Sequence, residues 1–261
     1  MNIMQIAHDC FRIVCEFLDD KSFINLISCN KTLNLKTYFK KLTNPYKLFE
    51  ILEVKHNFIF THIIYDQLKL FPNKIPESVT HITFCDRYLG QLNKIPKNAT
   101  HVILGNKYKR IIRNISPTVE YLKLGDSHTS ALQISPKKTN LKYIEFGNNF
   151  NNTVDNLPNM LIKLKFGNSF NMCVDNLPQK LKKIIFGNNF NQKVKHLPNL
   201  LEEVKFGYYF NQSINDLPKN IKKLHLGSMF NQHINILPPT LTRLTLGPAF
   251  SKTIKCEFPD T

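Results

Sequence analysis

Glycine recurs at Gly147, Gly167, Gly187, Gly207, Gly227 and Gly247, every 20 residues. The surrounding phrase reads L-x-x-[LI]-x-[FL]-G-x-x-F-N-x-x-[VI]-x-x-L-P. A unit this short cannot enclose a core of its own. It has to stack on copies of itself, each coil covering the apolar edge of the next, which is the logic of a solenoid. The stretch 141–250 therefore constrains the architecture before any site is considered.

The unit Leu181–Pro198 shows what one coil contains. Counting from the repeat glycine G, Leu181, Ile184 and Phe186 lie at G−6, G−3 and G−1. Lys183 and Ile185 alternate outward, as in a short strand of period two. Stacked strands make a parallel sheet with a spacing of roughly 4.8 Å. Glycine at the next position permits a positive φ or a close approach to the neighbouring coil. Phe150, Phe170, Phe190, Phe210, Phe230 and Phe250 form the G+3 column, expected to stack as an interior spine with centroids about 5 Å apart. Asn151, Asn171, Asn191, Asn211 and Asn231 follow, and an asparagine column in a tight turn bonds the turn and its neighbours. Val154, Val174, Val194, Ile214, Ile234 and Ile254 point in again. Leu157, Leu177, Leu197, Leu217 and Leu237 close the coil, and the proline after each ends regular structure.

Upstream, the same strand is written in degenerate form as Thr61-His62-Ile63, Thr80-His81-Ile82 and Thr100-His101-Val102. Ile75-Pro76 and Ile95-Pro96 take the Leu-Pro corner, Ser116-Pro117 and Ser135-Pro136 shift it, and His128 stands in the phenylalanine column. The count is about ten coils over residues 60–261, a rod on the order of 45–50 Å long. Cys256-Glu257-Phe258-Pro259 is expected to cap the open end of the sheet.

Residues 1–42 read as helical. Ile6, Cys10, Ile13, Val14, Phe17 and Leu18 share one face, Asp19-Asp20 break the run, and Ser22 can cap a second helix with Phe23, Leu26 and Ile27 inside. Residues 43–59 form a connector, where Leu48, Ile51 and Leu52 allow a further helical turn. The fold class expected is therefore α+β, a short helical module followed by a leucine-rich-repeat-like parallel β-solenoid.

The phrase Ile6-Ala7-His8-Asp9-Cys10-Phe11-x-x-Val14-Cys15-x-Phe17-Leu18, followed by Ser22-Phe23-x-x-Leu26-x-x-Cys29-x-Lys31, resembles an F-box. It departs in having Ala7 in place of the family's proline and in lacking a downstream tryptophan. The Phe-Asn-x-x-Ile-x-x-Leu-Pro phrase resembles the FNIP repeat, and the combination is similar to proteins of social amoebae and large amoeba-infecting viruses. The resemblance implies an intracellular adaptor, in cytoplasm or nucleus (of a host cell if viral). Phe11, Val14, Phe17, Leu18, Phe23 and Leu26 would dock on a Skp-type linker subunit of a cullin–RING ubiquitin ligase. The solenoid would recruit an unidentified target protein. Two alternatives remain: a stand-alone scaffold in which the helices only cap the solenoid, and a basic nucleic-acid-binding solenoid.

Composition narrows the classes further. The chain has 261 residues, 42% of them hydrophobic, with no apolar run of the roughly 20 residues a spanning helix needs. Met1-Asn2-Ile3-Met4 followed by Asp9 and Glu16 does not read as a secretory signal. Six scattered cysteines make no C-x-x-C pair and suit a reducing compartment. The net charge of +16 permits an acidic partner or nucleic acid without requiring either. No nucleophile, base and orienting group converge, so neither catalysis nor a cofactor is expected. The His62, His81, His101 column brings no carboxylate or thiolate with it, and no metal site is assigned. The face proposed for target binding comprises His81, His101, Tyr121, Tyr143, Lys163, Lys183, Lys223 and Arg243 at G−4, with Lys165, Lys205 and His225 at G−2. It is aromatic at its N-terminal end and basic towards its C-terminal end.

Overall fold

The computed structural model describes residues 22, 40–42, 46–47, 58–65, 75–92, 95–135 and 138–256. Its strands are β1 (Lys40–Leu42), β2 (Tyr46–Lys47), β3 (Phe58–Phe60), β4 (His62–Tyr65), β5 (His81–Phe84), β6 (His101–Ile103), β7 (Tyr121–Lys123), β8 (Tyr143–Glu145), β9 (Lys163–Lys165), β10 (Lys183–Ile185), β11 (Glu203–Lys205), β12 (Lys223–His225) and β13 (Arg243–Thr245). Eleven of them, β2 and β4 through β13, form one sheet in chain order, and every pairing is parallel. β1 and β3 make a separate parallel pair. The ten strands β4–β13 bound nine complete coils, one fewer than the sequence count, because β13 opens a coil whose closing corner falls in 257–261, outside the described residues.

Two hydrogen-bonded turns bend most of the regular coils. The glycine carbonyl accepts the N–H of the phenylalanine three residues on, as in Phe170 to Gly167 at 3.4 Å. The proline carbonyl accepts the N–H of the next leucine, as in Leu181 to Pro178 at 3.2 Å. The inward columns fill the space between: Leu181, Ile184, Phe186, Phe190, Val194 and Leu197 are all buried. Each buried phenylalanine contributes roughly 1.5–3 kcal/mol by its removal from water.

The glycine column works by close approach. A Cβ at Gly187 would collide with the Gly167 carbonyl, and the same holds at Gly147, Gly167, Gly207 and Gly227 against the glycine one coil before. The absence of a side chain sets how closely the coils stack.

The aromatic spine differs from expectation. Rings in the G+3 column are 6.0–6.2 Å apart, not 5 Å. The tight contacts are within each coil, where the G−1 and G+3 rings stack at 3.7–4.0 Å. The G−1 column next to the sheet steps by 5.3–5.5 Å. Against about 4.8 Å between strands, the step grows with distance from the sheet. The coils fan apart away from it, and the sheet lines the inner side of the curve.

Three expectations at the N-terminal end need restating. Lys40–Leu42 are a strand, so the helical reading of 1–42 does not reach its end: their backbone bonds go to Phe58–Phe60. The connector 43–59 contributes strand residues in Tyr46–Lys47 and Phe58–Phe60, so pairing starts before residue 60. Apart from Ser22, the F-box-like phrase, including Phe11, Val14, Phe17, Leu18, Phe23 and Leu26, lies outside the described residues, as does the Glu257-Phe258-Pro259 cap.

Candidate interaction face

The strand registers bring all eleven residues of the expected target-binding face onto one side of the sheet. His62, His81, His101, Tyr121, Tyr143, Lys163, Lys183, Glu203, Lys223 and Arg243 pair in sequence as one column. Lys123, Glu145, Lys165, Ile185, Lys205, His225 and Thr245 form the second. The face follows from period two: within β9, Leu164 is buried while Lys163 is exposed and Lys165 half-buried.

The aromatic half is a ladder of rings. His62 and His81 lie 5.5 Å apart, His81 and His101 stack at 4.0 Å, His101 and Tyr121 at 5.3 Å, and Tyr121 and Tyr143 at 4.6 Å. Thr80 and Thr100 anchor it, sharing hydrogen bonds of 2.8 and 2.9 Å with Nδ1 of His81 and His101. Burial lowers the pKa of all three histidines; His81 adds to this at His62 and His101 adds to it at His81, while Glu120 pulls the other way at His101. Among the described residues no group of three or more His, Cys, Asp or Glu side chains is placed to hold a metal ion.

Glu145 is the ionic centre of the face. Its Oε1 lies 3.2 Å from Lys123 Nζ and 3.0 Å from Lys165 Nζ, and Oε2 accepts from the Tyr143 hydroxyl at 3.2 Å. Burial works against this carboxylate, but hydrogen bonds from Lys165 and Lys123 outweigh it and hold its pKa below the usual range. Tyr143 is pushed the other way by burial and by the Glu145 charge. Lys183 pairs with Glu203 at 2.6 Å, and along one margin Lys142 pairs with Glu120 and Lys182 and Lys222 with Glu202. Among the described residues, Lys163, Lys205, Lys223 and Arg243 are the strand-face cations with no ion-pair partner.

Where the two halves meet, the face sinks into a groove of about 420 Å³ running from His101 and Tyr121 to Lys183. Tyr143, Ile162 and Ile185 supply apolar surface, and Lys142, Lys163 and Lys183 surround it. Ile162 and Glu145 escaped the sequence reading. Ile162 precedes the strand, at a position where the other regular coils carry Lys142, Lys182, Glu202, Lys222 and Thr242, and Glu145 is a single acid at G−2 between Lys123 and Lys165. Both stand out only once the columns are written side by side.

The turns behind this face are held by side-chain ladders. Oδ1 of Asn151, Asn171, Asn191 and Asn211 accepts the backbone N–H of the asparagine one coil on, each at 2.9 Å, and Ser251 ends the run on Asn231 at 3.0 Å. Gln192, Gln212 and Gln232 add side-chain bonds of 3.1 Å to the same oxygens. The asparagine column is thus structural, as the turn chemistry suggested.

Comparison with known proteins bears on the same coils. The FNIP repeat family matches residues 152–189, 172–209 and 210–249. Residues 152–249 carry FNIP repeats. The FNIP phrase therefore encodes the coil seen here, with its Phe stack, Asn ladder and Leu-Pro turn. The coils before residue 141 continue the same sheet with the FNIP columns altered. Among solved structures, the chain is similar to that of CroV588, described as a novel circular LRR protein structure. The identity is 31%, the TM-score 0.59, and the match covers 73% of this chain and 34% of that one. The chain thus spans about a third of that protein's length. No curated protein sequence matches the chain. Among the described residues no helix is long and apolar enough to cross a membrane.

Proposed function

We propose that the solenoid is a non-enzymatic recruiter that binds another protein on the inner face of its sheet, and that residues 3–42 tether it to a Skp-type linker of a cullin–RING ubiquitin ligase. The observation that carries the first part is the groove at the junction of a ring ladder and a basic field, on a face of an eleven-stranded sheet that the other described residues leave open. Extended concave faces of this kind are where repeat proteins engage partners. The second part rests on the F-box-like spacing of Phe11, Val14, Phe17, Leu18, Phe23 and Leu26. An adaptor built this way supplies proximity, raising the effective concentration of target beside the ligase.

Each part has its own test. Purified protein is titrated with a purified Skp-type linker, comparing wild type with Val14→Asp plus Phe17→Asp. Micromolar binding lost in the variant supports the tether. Absence of wild-type binding leaves a stand-alone scaffold with a helical cap. For the face, a photo-crosslinking residue is placed at Tyr121 or at Lys195 on the far side of the coil. Adducts from Tyr121 alone support the reading, and adducts from Lys195 alone overturn it.

A further inference from the structure

The charge on the face is not spread evenly. At the edge of the groove, Lys183 is neutralised by Glu203. Beyond that pair the strand-face cations have no ion-pair partner among the described residues: Lys205 and Lys223 lie on neighbouring strands, Arg243 is paired in register with Lys223, and His225 and Thr245 are beside them. The face thus has a mainly apolar station over β8–β10, with Lys163 as its one unpaired cation among the described residues, and a cationic station over β11–β13, the Lys183–Glu203 pair lying between them.

Resting on the face reading above, we infer that the partner is an extended acidic protein segment that seats one apolar side chain against Tyr143, Ile162 and Ile185 and sets its carboxylates on Lys205, Lys223 and Arg243. The stations fix the spacing. From β9 to β12 is three strand spacings, about 14 Å, which an extended chain covers in about four residues. The segment therefore carries an aliphatic or aromatic residue and, about four positions away, an acidic pair. It lies across the strands, where the inward curve brings both stations towards it.

A nucleic-acid strand fits these stations poorly. Base stacking needs open ring faces, and His81, His101 and Tyr121 each have neighbouring rings on both sides at 4.0–5.5 Å. A phosphate backbone also carries charge at every step, whereas here Glu145 and Glu203 interrupt the basic track.

The experiment pans a random dodecapeptide library against the full chain and measures selected peptides by fluorescence anisotropy. The expected consensus is one apolar residue and an acidic pair about four residues apart, with binding that weakens as salt is raised. Lys223→Glu plus Arg243→Glu should weaken these peptides at least about tenfold, and Ile185→Asp should do so independently. Lys195→Glu, on the far side, should leave them unchanged. Peptides that need the face but show no acidic pair, or no fixed separation, overturn this inference and leave the face reading standing. Peptides indifferent to all the face substitutions, or no selection at all, overturn both. Tight binding of a labelled oligothymidylate that is lost in the Lys223→Glu, Arg243→Glu protein would replace the acidic segment with nucleic acid.

Discussion

The coils before residue 141 and those after it make the same strand and turns, yet they are filled and stitched differently. In the later coils the spine is phenylalanine and the stitching is the Asn151–Asn231 ladder, one identical bond per coil. In the earlier coils Tyr88 and Tyr108 take the spine positions, 6.1 Å apart, and their hydroxyls donate to the backbone carbonyls of Gln91 and Gly90. Asp86 and Asp126 serve as the cross-coil acceptors there, each taking an N–H of the following coil, from Asn106 and Asn148. The step varies as well: β4 to β5 pairs His62 with His81, and β7 to β8 pairs Tyr121 with Tyr143. The coil needs an aromatic in the spine, but not one particular residue, and the side-chain acceptor used at G+4 in the later coils is found at G+1 where the earlier coils have one. Extra length is tolerated where the chain returns, away from the sheet.

The sharpest way to break this equivalence is to empty the spine. Phe190→Ala removes a fully buried ring that stacks on Phe186 at 3.9 Å. It should cost about 3–5 kcal/mol, read as a lowered denaturant midpoint with loss of hydrogen-exchange protection centred on its own and adjacent coils. Tyr108→Phe keeps the ring and loses one hydrogen bond, so it should cost only about 1 kcal/mol.

The next largest effect concerns the close approach of coils. Gly187→Ala drives a methyl into the Gly167 backbone, and overpacking against backbone should cost on the order of 3 kcal/mol. The coil of β5 already carries Cys85 at that position, half-exposed. Cys85→Ala should therefore change stability by less than about 1 kcal/mol. Equal effects at the two sites would mean that glycine is not what sets the spacing.

A smaller effect, with the opposite sign, is expected at His128, which fills the spine position between the two halves. It is fully buried, and neither ring nitrogen makes a well-formed hydrogen bond. Burial depresses its pKa, outweighing a weak pull from the Ser130 backbone. Because the folded-state pKa lies below the ordinary value of about 6.5, the unfolded chain binds the proton more readily. The contribution of neutral His128 is whole above the unfolded pKa and is lost as pH falls towards the folded one. His128→Phe should stabilise the protein by about 1–2 kcal/mol at neutral pH, and should flatten the decline in denaturant midpoint below about pH 6.5. An unchanged acid limb would show that the His62–His81–His101 ladder dominates the titration instead.

The repeat arithmetic was enough to specify a parallel solenoid, the inward columns, the structural role of the asparagines and the set of outward residues. Period and burial are one-dimensional in a solenoid: a residue's column follows from its distance to the glycine, and its neighbours lie one period away. Three things needed the tertiary structure. The curve of the sheet, visible in the growing ring step from the sheet inward, depends on how unequal side chains pack on its two sides. The groove at Tyr143, Ile162 and Ile185 depends on that curve and on a departure from the repeat at residue 162. The partition of cations into neutralised and unmatched depends on side-chain reach across coils, since Glu145 and Glu203 each sit beside several lysines. Sequence placed the charges in columns; only the folded distances decided which of them remain available to a partner.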